Sequence, residues 1–454
     1  MKRWTALCSA MLLGSLALPP AILAAPSRPD PVASDPRAAP DWELSAVKVR
    51  IALSRALGEH AFLVMETMRM SAEPGPEFDA AAATLDENTA DIAALVSSVL
   101  TEAEAGAFGQ QWRNHIAYLV DYARAVAARD ADAAGLAERQ LQTYSREFSA
   151  LLIDAFPNLP EHAVQQLVGE HVSQLEQVTD LADADYDAAY AAIRETYAHM
   201  FAIGDGLLIG ITSRNDSELE GTETALGPAV DLRVTLDRLF GEHAYLAAIV
   251  MRARLDDEAH SAAAVAALER NSSELAEEVA TIYGDEAGAA FERLWSRHTH
   301  LYVEYVAATA MGDESLQQRS LDGLADSRSD FSRFLADANP LIDAGALETM
   351  LATHTGHLVE QVGAYASGDY GQAYQMSRHA YAQTEELAAG LAGAIADQFP
   401  QLFPDTALPL VPPSAPLPPW ASVLGLALAA SAIGLGVSRW RGPAPLRGRR
   451  VVVR

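Results

Sequence analysis

The sequence predicts an all-α protein: two tandem up-and-down helical bundles of five or six helices each, then one C-terminal transmembrane helix. Three observations support this. Apolar residues recur at helical spacing, and no stretch shows the alternation typical of strands. A long part of the chain occurs twice. Near the C-terminus, residues 420–437 form an uncharged apolar segment.

Composition excludes several classes of protein. The 454 residues suffice for two or three domains. Cys8 is the single cysteine, which excludes an intramolecular disulfide, cysteine-based zinc or iron–sulfur sites and covalent c-type haem. Sixty-one acidic residues stand against 32 basic ones. Such a charge repels nucleic acid and anionic lipid, so we expect no nucleic-acid partner.

Residues 1–25 have the pattern of a secretory signal peptide. Lys2 and Arg3 precede an apolar run, and Ala24 and Ala25 supply small residues for cleavage. The apolar run is short and contains two prolines, which disfavours a first membrane helix. We therefore expect the following domains outside the cytoplasm.

The two bundles are predicted from an internal repeat. The segment 50–63 reads RIALSRALGEHAFL, and 233–246 reads RVTLDRLFGEHAYL, an offset of 183 residues. Near the ends of the units the offset becomes 184. A period this long indicates duplicated domains. We place the first bundle at 41–213, the polar linker at 214–227 and the second bundle at 228–398.

Within the first unit, three apolar stripes have the spacing of a buried helix face, and each carries one histidine. Helix-breaking sequences near Pro74, Asp130, Pro157 and Ala182 separate the predicted helices. The stripes are Leu53, Leu57, His60, Val64 and Met68; Phe108, Trp112, His115, Leu119 and Tyr122; and Val164, Leu167, His171, Leu175 and Val178.

The C-terminal segments predict a membrane anchor. Residues 399–419 are rich in proline and should form a stiff stalk. The apolar segment 420–437 is close to the shortest length that spans a bilayer. The tail 438–454 contains six arginines and no acidic residue, which places it in the cytoplasm. We thus expect a single-pass protein of the inner membrane, with its bundles periplasmic or extracellular.

Histidines on the apolar stripes are the candidate ligands. His60, His115 and His171 recur at the 183 offset. Their counterparts are His243, His298 and His354. Helical bundles build metal and cofactor sites from side chains on facing helices. Imidazole suits copper, zinc or iron, and it also binds haem iron, so haem b is the alternative cofactor. His199 and His379, on the last helix of each unit, are candidates for a fourth ligand.

A second interpretation treats these histidines as ordinary core residues. Their ring nitrogens would then bond to buried carbonyls, tyrosines or glutamates. The protein would be a structural or sensory ectodomain whose partner is another envelope protein. Glu59 and Glu242 precede a stripe histidine in both units. Because adjacent helical residues point about 100° apart, these carboxylates should face solvent, a neighbouring helix or a partner beside the site. We expect His162 and His260 on the surface.

Several patterns also resemble a helical domain that recurs, often in tandem, in secreted bacterial proteins. They are Arg-x-x-Leu-x-x-Leu-x-x-Glu-His at 233–243, Trp-x-x-His at Trp112 and Trp295, Gly-Asp-Tyr at 368–370, and the run 194–200. The first unit departs at Ala56, and the second at His379 and Gln383. The resemblance implies tandem helical domains over nearly the whole region outside the membrane.

Some proteins with this domain carry the label copper amine oxidase-like by transfer of annotation. A true copper amine oxidase is large and β-rich, and its quinone derives from a tyrosine that follows asparagine. This sequence has no Asn-Tyr pair. It also shows no catalytic triad order, phosphate-binding loop or paired-carboxylate motif. We therefore expect a binding protein and no enzyme, with a copper-dependent oxidase as a distant alternative.

Overall fold

The computed structural model describes residues 41–403 except 183, 215–216 and 257, and every regular element in this part of the chain is a helix. The all-α prediction is confirmed. The predicted signal peptide, most of the stalk, the predicted span 420–437 and the tail lie outside the described residues. Among the described helices, none has the length and apolarity needed to cross a membrane.

The first half of the described chain, residues 41–213, contains six long helices. They are α1 (Ser45–Met70), α2 (Pro76–Ser97), α3 (Glu102–Ala128), α4 (Ala131–Ala155), α5 (Glu161–Leu181) and α6 (Tyr186–Thr212). Four of the five breaks fall where helix-breaking residues predict them. The side chains of Asp130 and Asp185 cap α4 and α6 by accepting bonds from Ala133 N and Ala188 N.

The break between α2 and α3 was not predicted. Thr101 begins α3 with a capping box, in which its hydroxyl accepts from Glu104 N while the Glu104 carboxylate accepts from Thr101 N. The Thr-x-x-Glu spacing is the sequence signal for this start.

The second half repeats the arrangement after a short linker helix, α7 (Thr222–Ala225). Its six long helices are α8 (Pro228–Leu255), α9 (Ser261–Tyr283), α10 (Asp285–Met311), α11 (Glu314–Ala338), α12 (Ala344–Ala366) and α13 (Tyr370–Gln398). Each helix follows its counterpart in the first half at the repeat offset.

Helix contacts close each half and then join the two halves. In the first half α6 returns to pack along α1, and in the second α13 packs along α8. Between the halves, α1 packs against α8, α2 against α13 and α9 against α6. Exchanging each helix for its counterpart reproduces these three contacts. The halves therefore meet as the two copies in a two-fold dimer would, within one chain.

The centre of this interface requires two glycines. A Cβ atom at Gly58 would lie 2.9 Å from the Tyr197 ring of the same half and 3.0 Å from the Tyr381 hydroxyl of the other half. A Cβ atom at Gly241 would lie 2.5 Å from the Tyr381 ring of its own half and 2.6 Å from the Tyr197 hydroxyl of the other half. These distances are shorter than van der Waals contact, so only glycine lets α1 and α8 approach the two tyrosines.

Candidate metal centres

Three helices of the first half bring three buried histidines together. His60 on α1, His115 on α3 and His171 on α5 each offer a ring nitrogen, and these nitrogens lie within 4.8 Å of one another. The Nε2 atoms of His60 and His115 are 3.3 Å apart. Two imidazoles on one tetrahedral ion, with metal–nitrogen bonds of about 2.0–2.1 Å, would place their nitrogens about 3.3–3.4 Å apart. We call this set the first triad.

The second half repeats the cluster. His243 on α8, His298 on α10 and His354 on α12 also have nitrogens within 4.8 Å of one another. We call this set the second triad. His243 and His354 are buried, whereas His298 is partly exposed. The structure thus brings together the six stripe histidines, three in each half, as the sequence analysis grouped them.

A tryptophan packs against two histidine rings of each triad. The Trp112 ring centroid lies 4.6 Å from that of His60 and 4.8 Å from that of His115. Trp295 lies 4.8 Å from His243 and 5.5 Å from His298. Trp112 and Trp295 sit one helical turn before a triad histidine, which explains the repeated Trp-x-x-His spacing.

Burial keeps the triad imidazoles in the neutral form that binds metals. Desolvation lowers the pKa of His115 and of His298 to about 4, and that of His354 to about 3. The pKa values of His60, His171 and His243 fall well below the usual range, because burial is reinforced by the neighbouring histidines.

Several triad nitrogens have no hydrogen-bond partner among the described residues. Both ring nitrogens of His171 lack one, and so does the Nδ1 atom of His60. A histidine kept only for core packing would bond to a buried carbonyl or hydroxyl, because an unpaired buried polar atom is costly. An ion held by the Nε2 atoms of His60 and His115 would supply a partner to His171, whose two ring nitrogens both lack one.

The glutamate before His60 connects the first triad to the other half. Glu59 is buried and accepts two bonds from Arg378, at 3.0 Å from Nε and 2.9 Å from Nη2. It also accepts from Asn88 Nδ2 at 2.9 Å and from the Tyr245 hydroxyl at 3.1 Å. Arg378 and Tyr245 both belong to the second half.

Glu242 repeats this arrangement in the opposite direction. It accepts two 2.9 Å bonds from Arg194 of the first half and one of 2.8 Å from Asn271. The three residues of Gly-Glu-His therefore have separate tasks. The glycine allows close helix packing, the glutamate pairs with an arginine of the other half, and the histidine joins a triad.

The candidate fourth ligands lie outside both clusters. His199 Nε2 bonds to the Leu167 carbonyl at 2.9 Å. In the second half Gln383, the counterpart of His199, donates to the corresponding carbonyl of Met350 at 3.2 Å. A shared donor role explains the His-to-Gln difference between the halves. His379 is exposed and lies beside His357, with ring centroids 5.6 Å apart.

The two histidines expected on the surface differ in their exposure. His162 is exposed, as expected. The expectation for His260 is wrong: it is partly buried between the halves, with Nδ1 2.9 Å from the Tyr190 hydroxyl and Nε2 2.6 Å from Glu258. The position of His260 just before α9 did not reveal that α6 packs against that helix.

Sequence reasoning also missed the residue that covers the first triad. The Tyr144 ring of α4 stacks on His115, with centroids 5.0 Å apart and planes at 18°. Its counterpart is Ser327, which lines a cavity beside the second triad. Reading the repeat offset along α4 would have found this difference.

Comparison with known proteins adds no relative. No family model, curated protein or solved structure matches this chain. The function must therefore be argued from the two triads themselves.

Proposed function

We propose that the protein binds one transition-metal ion at each histidine triad. The observation that carries the proposal is the same three-histidine cluster, formed twice from equivalent helices, with ring nitrogens close enough to share one ion. Neutral imidazole favours copper, zinc or iron over magnesium or calcium. The imidazoles are already gathered and neutral, so a binding ion would displace no protons from them at neutral pH.

An ion fits the first triad better than haem. Two axial nitrogens on opposite sides of haem iron would lie about 4 Å apart, at twice a metal–nitrogen bond of about 2.0–2.1 Å, with the porphyrin between them. The His60 and His115 Nε2 atoms are 3.3 Å apart. The third histidine also converges on the same point, where a porphyrin would need open space.

The proposal includes the setting predicted from the sequence. Two tandem bundles would follow a removed signal peptide, and a helix at 420–437 would anchor them at the outer face of the inner membrane. Their resemblance to tandem helical domains of secreted bacterial proteins agrees with this placement. The protein would hold metal ions outside the cytoplasm without catalysing a reaction.

Metal content of single-triad variants tests the proposal. The full-length chain, purified without a histidine tag and incubated with copper, zinc or iron, should contain close to two ions by mass spectrometry. His115→Ala and His298→Ala should each lose one ion, and the double variant should lose both. His162→Ala is the matched control, because His162 is exposed and outside the triads, and it should retain two.

Circular dichroism of each variant shows whether the helices remain. A wild-type chain that stays metal-free in all three incubations would overturn the proposal and favour a structural or sensory ectodomain. Unchanged metal content in folded His115→Ala and His298→Ala would overturn it as well. A Soret band that disappears with these substitutions would assign the triads to haem instead.

A further inference from the structure

The second triad borders a small cavity that is mostly apolar and has a few polar residues in its lining. The cavity has a volume of about 30 Å³, room for one or two water-sized groups. Its lining includes all three histidines of the second triad and the polar residues Ser327, Arg328 and Gln383. A ligand in this cavity would therefore lie next to an ion held by the triad.

This lining is specific to the second half. Ser327 and Arg328 on α11 occupy the positions of Tyr144 and Ser145 on α4. In the first half the tyrosine ring fills the space against His115. In the second half the short serine leaves that space free, and an arginine stands beside it.

Three polar atoms of the lining have no protein partner in the part of the chain that the structure describes. Ser327 Oγ, Arg328 Nε and Gln383 Oε1 are buried and unpaired. Ser327 is 1% exposed. Two of these three atoms are hydrogen-bond donors. They need an acceptor, which a small molecule in the cavity could provide.

The charge around the cavity favours an anion. Three neutral imidazoles would leave the charge of a divalent ion uncompensated, and Arg328 adds one positive charge. No aspartate or glutamate lines the cavity. Glu242, the nearest carboxylate along α8, is paired with Arg194. Arg328 is partly exposed, but its Nε is buried, and a divalent ion buried among neutral ligands beside it would be stabilised by an anion.

We propose that the ion of the second triad takes a small monoanion as an additional ligand. Arg328 and Ser327 donate hydrogen bonds to this anion, and Gln383 Oε1 accepts one from a water or a hydroxyl beside it. The ion of the first triad, beneath Tyr144, takes none. This inference rests on the proposed metal binding. Three protein ligands with one open position are typical of metal sites that exchange a small ligand.

Cobalt(II) and azide are suitable probes, because an added ligand changes the visible absorption of cobalt. The full-length chain is loaded with cobalt, and its content is measured before azide is titrated. His115→Ala leaves only the second site loaded, and it should show a saturable spectral change with azide. His298→Ala leaves only the first site loaded, and its spectrum should stay unchanged.

Two further variants test the role of the lining. Arg328→Met should retain two cobalt ions and bind azide at least tenfold more weakly. Ser327→Tyr, which copies the first half, should retain two ions and abolish the azide response. Equal azide responses in His115→Ala and His298→Ala, or unchanged affinity in Arg328→Met, would overturn the inference. A chain that binds no cobalt, copper, zinc or iron would instead overturn the proposed function.

Discussion

The two halves of the molecule share the same arrangement of helices and histidines, but a different residue lies over each histidine triad. Both place three histidines from equivalent helices around one point, beside a tryptophan. In both, the glutamate before the first histidine pairs with an arginine of the other half. The first triad is fully buried beneath Tyr144, whereas the second borders a cavity and has one partly exposed histidine. The comparison teaches that both halves keep the three histidines and the contacts between the halves, while the residue that covers the histidines differs.

The largest expected effect concerns the shared ion pairs. Arg194→Met should reduce the free energy of unfolding by about 3–5 kcal/mol, because it leaves the buried Glu242 carboxylate without its charge partner. Arg378→Met should cost less, since Glu59 keeps its bonds from Asn88 and Tyr245. Denaturant titration measures both values.

Arg333→Met is the control for these variants. Arg333 is paired with Asp330 on an exposed surface, and its loss should change stability by about 0–1 kcal/mol. Equal losses from the Arg194 and Arg378 variants would mean that the Tyr245 hydroxyl does not compensate Glu59. The Glu242–Arg194 and Glu59–Arg378 ion pairs would then contribute equally to stability.

A pH series compares the two triads without metal. The folded pKa of His115, about 4, lies below the usual value near 6.5, so the unfolded chain binds more protons between these pH values. Stability from this group is present above about pH 6.5 and falls as the pH approaches 4. At pH 5 the free energy of unfolding that His115 alone contributes should be lower by about 2 kcal/mol than at pH 7.

The measurement is the difference in unfolding free energy between pH 7 and pH 5 for the metal-free chain. His115→Gln should show a loss about 2 kcal/mol smaller than the wild type, and His298→Gln should do the same because its pKa is also about 4. A smaller change for His298→Gln alone would indicate that its partial exposure lets it take up a proton within the fold.

The rate of metal release should differ between the two triads, because Tyr144 covers the first and Ser327 stands at the same position in the second. With one site loaded at a time, a chelator should remove the ion of the second triad at least tenfold faster, because the first must await a local opening that costs about 1.4 kcal/mol or more. Tyr144→Ser in the first half should accelerate release, and Ser327→Tyr in the second should slow it. Equal rates of metal release from the two single-site proteins and from their Tyr144→Ser and Ser327→Tyr variants would show that this position does not control release.

The smallest effect on stability is expected at Gln383, because it and its counterpart His199 both bond to an equivalent carbonyl. Gln383→His copies His199 into the second half and keeps a donor to the Met350 carbonyl. Stability should change by less than about 0.5 kcal/mol, and metal content should stay the same. A large change in the cobalt spectrum of this variant would show instead that a histidine here reaches the ion.

Periodicity and the repeat offset predicted the helices and both triads, because each triad histidine lies on an apolar stripe. Neither could identify the partners of Glu59 and Glu242. Those partners lie on helices of the other half, and their pairing follows from how the halves dock. The cover of the first triad was missed for a related reason. Tyr144 lies on α4, outside the three stripes, so its contact with His115 depends on three-dimensional packing.

The pairing of Glu59 with Arg378 also has a consequence in time. The two residues are 319 positions apart, and Arg378 lies on the last described helix. At a synthesis rate of about 5–20 residues per second, roughly 15–60 s pass between the synthesis of Glu59 and that of Arg378. During that interval the Glu59 carboxylate lacks this charge partner. The contacts of Glu59 in the first half are therefore complete only after α13 has been synthesised.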